Sequence, residues 1–202
     1  MVSIKSKSAA LEKLISIEEY FRLEAKSLTK NEYHNGIILK MAGAKLKHNL
    51  LAQAASAVLF NHVKTKRLNF IVSNSDTKIY IERVNKVVYP DAVVISRPPL
   101  FYKKRKDTIV NPHLIVEVLS DSTEKHDRNG KFEWYRTIPS FQEYVLIYQE
   151  SQQVVVWTKQ TDGTWVLRDY IGENAVAFLH TLEGCTMLLG DLYPDEADFQ
   201  ED

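Results

Sequence analysis

The chain has 202 residues and a mass of 23.3 kDa, 45% of them hydrophobic and 26% charged; this is the composition of one ordinary globular domain, and it excludes intrinsic disorder, collagen-like sequence and two full-sized domains. Basic and acidic residues number 26 each, yet Asp191, Asp195, Glu196, Asp198, Glu201 and Asp202 crowd the end, so residues 1–190 hold 26 basic and 20 acidic side chains, a charge of +6. No apolar run approaches the roughly 20 residues of a bilayer span, the N-terminal segment lacks the continuous apolar stretch of an export signal, and a lone cysteine, Cys185, can form neither an internal disulfide nor a thiolate metal site. A soluble, cytoplasmic protein with no membrane partner is expected.

In chain order, residues 17–26 predict a short helix with Ser16 as its N-cap. Asn35-Gly36, inside 31–41, is a strong hairpin signal. From Lys45 to about Lys64, Leu51, Ala55 and Val58, with Leu50, Ala54 and Leu59 beside them, follow the 3.6-residue period of a helix. Strands are expected near 69–73, 77–82 and 86–95, then a Lys-rich, Pro-containing loop over 97–111. The segment 113–119, HLIVEVL, is apolar on both faces and therefore central in a sheet. A helix over 124–137 precedes Pro139, and 142–149, 153–160 and 164–170 form a meander with Asp162-Gly163 at its last turn. No internal repeat or linker interrupts the chain. The expectation is one α/β domain over 1–202, a mixed sheet flanked by helices: a core at about 30–150, a β-rich C-terminal meander within 142–190, and an acidic tail at 191–202.

Chemistry is indicated by two carboxylates set in apolar strands, Asp91 in VVYPDAVVI and Glu117 in HLIVEVL. A buried ionised carboxylate costs several kcal/mol unless a cation or hydrogen-bond donors compensate it. Each could lie in a structural salt bridge or at a wet strand end; together, on strands that could be neighbours, they suit a hard divalent cation such as Mg²⁺, which takes one or two carboxylates and keeps water. Asp127, Lys131 and Tyr135, spaced by four on the following helix, share one face. Lys131 could return to the carboxylates, or simply pair with Asp127 on an exposed helix surface, and Tyr135 could be ordinary core. Trp134, Trp157 and Trp165 read as core. His62, His113, His126 and His180 show no metal-ligand spacing, and phosphate-loop, dinucleotide, nucleophile-elbow and zinc-helix motifs are absent from the sequence.

Tyr89-Pro90-Asp91, then Glu117-Val118-Leu119-Ser120, Ser122-Thr123, Asp127, Lys131-Phe132 and Tyr135 together resemble the Uma-two family, a restriction-endonuclease branch of the PD-(D/E)XK nuclease superfamily. The likeness extends to Glu32-Tyr33 with Gly36, to His48 opening the long helix, and to Leu192-Tyr193. It implies a restriction-endonuclease-like mixed sheet in which Asp91 and Glu117 bind Mg²⁺, with Mn²⁺ as a substitute and the Val118 carbonyl as a third ligand. The superfamily pattern wants lysine two positions after the Glu, where this chain has Leu119; the resemblance moves that role to Lys131. Glu32 corresponds to the extra acid of many such nucleases. His48 is a further candidate, alongside the plainer reading of a histidine capping a helix face. The implied activity is Mg²⁺-dependent hydrolysis of DNA phosphodiesters by a homo-oligomer, a dimer or higher. The rival readings are a catalytically inactive nuclease-fold protein that binds nucleic acid or regulates, favoured by Leu119, and an interaction domain with a protein partner, consistent with zero net charge.

Overall fold

The computed structural model describes residues 14–119, 130–195 and Phe199. Its elements are α1 (Ile17–Glu24), β1 (Asn31–His34), β2 (Ile37–Lys40), α2 (Leu46–Thr65), β3 (Phe70–Asn74), β4 (Lys78–Ile81), β5 (Lys86–Val88), β6 (Ala92–Ser96), β7 (Thr108–Ile109), β8 (Pro112–Leu119), α3 (Phe132–Tyr135), β9 (Glu143–Tyr148), β10 (Gln153–Lys159), β11 (Trp165–Ile171), β12 (Val176–Leu179), β13 (Cys185–Leu188) and α4 (Leu189–Leu192). Local chemistry explains the ends of several. The Ser16 side chain accepts the Glu19 N–H at 3.1 Å and so caps α1. Asn35 and Gly36 turn the β1–β2 hairpin with φ of 48° and 103°, the left-handed region these two residues enter at least cost.

The strands form a six-stranded sheet ordered β11-β10-β9-β8-β6-β3, a five-stranded sheet ordered β2-β1-β5-β4-β7, and the β12-β13 pair. The six-stranded sheet is mixed: β8 runs antiparallel to β6 and parallel to β9. As its apolar pattern predicts, β8 is interior and covered on both faces. Leu114, Val116 and Val118 join Leu51, Ala55 and Leu59 of α2 and the β12–β13 hairpin in one core. On the other face, Ile115 and Leu119 meet Ile79 and Ile81 of β4, Val88 of β5, and Phe132 and Tyr135 of α3. The far side of the five-stranded sheet is closed by α1, where Ile17, Tyr20 and Phe21 pack on Tyr33, Tyr80 and Val87. Among the described residues no helix is long and apolar enough to cross a membrane.

One strand expectation needs correction. The single strand over 86–95 is two strands, β5 and β6, in different sheets. Pro90 has no N–H for a ladder, so the chain leaves one sheet at Tyr89 and enters the other at Ala92, with Asp91 at the seam. Of the helix expected over 124–137, residues 120–129, with Asp127, lie outside those described; the described part is helical from Gly130, with Lys131 in helical conformation directly before α3. The β12–β13 hairpin and α4 were not expected.

Candidate active site

Asp91 stands at the bend just before β6, and Glu117 lies in β8, the antiparallel neighbour of β6. The register sets Ala92 opposite Val116, so the bend at Asp91 comes beside the Glu117–Val118 stretch of β8. Backbone pairing with β6 stops here, and the Asp91 side chain takes the place of the next residue: its Oδ2 accepts the Val118 N–H at 2.7 Å. Its Oδ1 accepts from His48 Nε2, 3.0 Å away in the first turn of α2. A carboxylate only accepts, so Nε2 carries the hydrogen. The N–H and C=O of a strand residue point to the same side, so the Val118 carbonyl also faces the Asp91 seam, while the Leu119 carbonyl accepts from Gln149 beyond β9.

Glu117 is 3% exposed and lies on the α3 side of β8. Lys131 Nζ donates to its Oε2 at 3.1 Å, and the Tyr135 hydroxyl donates to its Oε1 at 2.9 Å. Lys131 is itself 8% exposed, so the picture of a surface ion-pair lysine is corrected: this is a buried pair, held together because α3 lies directly over Glu117. Burial, and then the Glu117 charge, push the Tyr135 phenol well above its usual pKa, so it remains a donor.

Glu32 enters from the other sheet. Tyr33 points to the α1 core, which turns Glu32 and His34 of β1 the opposite way, toward α3. His34 Nε2 lies 2.8 Å from Glu32 Oε2, its ring stands edge-on to Trp134 at 5.0 Å, and Lys86 Nζ sits 3.9 Å over the Trp134 ring. Burial raises the Glu32 pKa, but the His34 hydrogen bond and the charge of Lys131 outweigh it, and the net shift is downward. Lys86 is shifted down by burial, against the opposing pull of Glu32.

The five candidate residues thus fall into two groups joined by consecutive residues of β8: Asp91 and His48 at Val118, and Lys131 and Glu32 around Glu117. His34 was missed by sequence reasoning, although spacing two on a strand places it on the face of Glu32. Tyr135 was noted only for sharing the Lys131 face. Trp157 and Trp165 pack on Phe132 at 4.8 and 5.2 Å; with Glu133, Arg136, Gly163 and Thr164 these aromatics line a cleft of about 580 Å³ that includes none of the five.

Among the described residues no three His, Cys, Asp or Glu side chains form a cation cage. The set available to an ion is two carboxylates and the Val118 carbonyl. Such hard oxygen donors, completed by water, fit Mg²⁺, which rarely takes an all-protein cage. Each carboxylate oxygen receives at least one donor from the described residues; a carboxylate oxygen has two lone-pair sites, so a donor and a cation can share it.

The family description "Putative restriction endonuclease", Uma2, matches residues 17–190. Two proteins of Synechocystis sp. (strain ATCC 27184 / PCC 6803 / Kazusa), both called uncharacterized, are similar to the chain. The protein sll1609 is 37% identical over 166 residues, covering 82% of this chain and 93% of its own, and slr1290 is 36% identical over 167 residues, covering 82% and 84%. A crystal structure described as "a putative nuclease belonging to DUF820", from Anabaena variabilis ATCC 29413, superposes with a TM-score of 0.69 at 17% identity, over 88% of this chain and 97% of that one. At that identity the likeness concerns the fold, a restriction-endonuclease-like mixed sheet flanked by helices. The family match runs from the first residue of α1 into α4 and takes in Glu32, His48, Asp91, Glu117 and Lys131; the chain belongs to the Uma2 family.

Proposed function

We propose that the protein is a Mg²⁺-dependent endonuclease that hydrolyses DNA phosphodiester bonds. The observation that carries this reading is the buried Lys131 ammonium 3.1 Å from Glu117 Oε2, beside a strand whose motif-lysine position holds the core residue Leu119. The family description and a nuclease-like fold support the same class of activity. Asp91, Glu117 and the Val118 carbonyl would hold Mg²⁺, or Mn²⁺ in its place, which when bound lowers the pKa of a water and polarises a phosphoryl oxygen.

The chain's own groups set up that chemistry. His48 and the Val118 N–H fix the two oxygens of Asp91, and Tyr135 fixes one oxygen of Glu117, so neither carboxylate must reorganise. Lys131 is the group suited to orient an attacking water or to stabilise the charge that develops on the phosphate. Glu32 adds a second negative charge near that ammonium and favours its protonated form. Two-fold cutting of a duplex would call for a dimer, and the lone buried Cys185 accords with a cytoplasmic setting.

The test is incubation of supercoiled DNA, and separately of RNA, with Mg²⁺ or Mn²⁺, against EDTA and Asp91→Asn controls. Metal-dependent nicking that Asp91→Asn abolishes is expected. Salt-sensitive DNA binding without cleavage at either metal would favour instead the non-catalytic nuclease-fold reading, to which Leu119 lends weight. Cleavage of RNA alone would overturn the substrate.

A further inference from the structure

Glu24, the last residue of α1, holds two distant segments of the chain at once. Its Oε1 accepts the Tyr89 hydroxyl at 2.6 Å and the Asn31 N–H at 3.0 Å, and its Oε2 accepts Asn31 Nδ2 at 2.8 Å. Four residues earlier, on the same face of α1, the Tyr20 hydroxyl donates to the Asn31 carbonyl at 2.7 Å. Asn31 immediately precedes Glu32, and Tyr89 stands two residues before Asp91. The β1–β5 ladder pairs Tyr33 with Val87 and His34 with Lys86; two residues further along each chain, Asn31 and Tyr89 are joined through Glu24. One carboxylate outside the metal set thus ties together the stretches of backbone that carry two of the site's acids.

We propose that Glu24 and Tyr89 are positioning residues, which through their hydrogen bond fix where the Asp91 and Glu32 backbones stand relative to each other. The inference rests on the metal-site reading above. The link from Tyr89 to Asp91 is short and stiff. A residue before proline is confined to extended backbone, and Pro90 has its own φ fixed at about −65°, so a tethered Tyr89 leaves Asp91 little freedom. The Tyr89 ring is 5% exposed, and the ammonium groups of Lys30 and Lys78 lie over it at 5.7 and 5.4 Å from its centre. Burial, and then the Glu24 bond, push its phenol well above its usual pKa, so the hydroxyl stays a donor at neutral pH. His48 and the Val118 N–H aim the Asp91 oxygens; Glu24 sets the backbone from which they are aimed. Mg²⁺ demands near-ideal geometry from its ligands, so a small displacement of that backbone is felt at the metal.

The experiment has two arms, calorimetric titration of Mn²⁺ into DNA-free protein and steady-state cleavage of DNA at saturating Mn²⁺, each well below the melting temperature of the variant. Tyr89→Phe deletes only the hydroxyl. It should weaken Mn²⁺ binding several-fold and lower kcat about 10-fold, with KM for DNA within about two-fold of wild type, the scale for losing a partner that orients a ligand. Glu24→Ala should do at least as much, and the double variant no more than Glu24→Ala, because Tyr89 acts through Glu24. Glu18→Gln, which removes a carboxylate of the same helix paired with Lys103, should match wild type. A lowered melting temperature with wild-type Mn²⁺ affinity and kcat in folded Tyr89→Phe would make the bond merely structural and overturn the inference. So would losses that multiply in the double variant, or a rise in KM alone. If Glu24→Ala fails to fold, Tyr89→Phe decides by itself. Absence of Asp91-dependent Mn²⁺ binding in wild type would bring down the metal-site reading and this inference with it, whereas indifferent variants of a wild type that binds Mn²⁺ bring down the inference alone.

Discussion

The Val118 N–H donates to Asp91 Oδ2 at 2.7 Å, so the first carboxylate of the site is anchored to the backbone of the strand that carries the second. Asp91 therefore has a structural task separable from any metal task. Asp91→Ala leaves a buried N–H without its acceptor and should cost about 1–3 kcal/mol in urea denaturation. Asp91→Asn keeps an oxygen for Val118 and should stay within about 1 kcal/mol of wild type. Millimolar Mn²⁺ should raise the melting temperature of wild type by linkage and leave both variants unmoved. A rise in Asp91→Asn equal to that of wild type would remove Asp91 from the ligand set.

Tyr135 tests how far Glu117 depends on its hydroxyl partner. Its ring is fully buried among Phe132, Phe141 and Tyr144, so Tyr135→Phe preserves packing and deletes only the 2.9 Å donor to Oε1. A hydrogen bond to a charged group is worth about 1.5–3 kcal/mol, and the variant should lose roughly that in stability. Because the phenol is held well above its usual pKa, it should not titrate in any neutral assay. The pH profile of cleavage should therefore keep its shape in Tyr135→Phe while its height falls. A lost alkaline limb would instead mark Tyr135 as a titrating group.

Much of this architecture was legible locally. Ser16, Asn35-Gly36 and the α2 period are set by chemistry within a few residues, and the two-faced apolar run of β8 has no other stable place than a sheet interior. The split of 86–95 was written in Pro90, but apolar residues on both sides read as one strand. Which sheet each half joins depends on contacts far along the chain. Similarly, the sequence left open whether Lys131 turns to the strand carboxylates or stays on the helix surface, and its burial was not legible at all. A lysine in a charged segment reads as surface until β4 and β5 are known to cover that face. The β12–β13 hairpin was missed because each strand has only four residues and pairs with nothing but the other in its own small sheet.

Cys185 offers a check on the core under α2. It is 1% exposed, and burial, then the nearby Glu143 charge, push its thiol up to about 11. The thiolate is the reactive form, so native protein should resist a thiol-specific reagent at pH 8, and denatured protein should take up one equivalent. Rapid labelling of native protein would contradict the packing of the β12–β13 hairpin.

Glu32 makes a prediction about acid stability. Its pKa in the fold is below the ordinary 4.5, because the His34 bond and the Lys131 charge outweigh burial. A carboxyl with a depressed folded pKa contributes stability that is full above the unfolded value and is lost as pH falls through the folded one. Wild type should thus lose this contribution below about pH 4.5. Glu32→Gln should be less stable than wild type at pH 7, and the gap should narrow steadily toward pH 3. Urea midpoints at several pH values measure it; a gap that does not change with pH would mean that Glu32 titrates alike in both states.

Lys131→Met is the sharpest case, because burial reverses the expectation for a surface lysine. Losing an exposed pair costs about 1 kcal/mol or less. Here the lysine and its partner Glu117 are 8% and 3% exposed, and removing one member of a buried pair leaves the other charge uncompensated, at about 3–5 kcal/mol. The partner Oε2 cannot turn to solvent, since Tyr135 holds Oε1. Adding Glu117→Gln to Lys131→Met should recover most of that loss, because a neutral amide needs no counter-charge. Stability alone thus reports the pair and says nothing of catalysis. Cleavage separates the two: at a temperature where Lys131→Met remains folded, its rate should fall roughly 100-fold or more, the scale for losing one preorganised charge at a transition state. Lys131→Arg keeps the charge and should restore stability in larger part than rate, since a planar guanidinium cannot reproduce the point charge of an ammonium. Equal rates in wild type and folded Lys131→Met would confine Lys131 to the buried pair and move the search for the catalytic cation to Lys86, over Trp134 on the same side of the site.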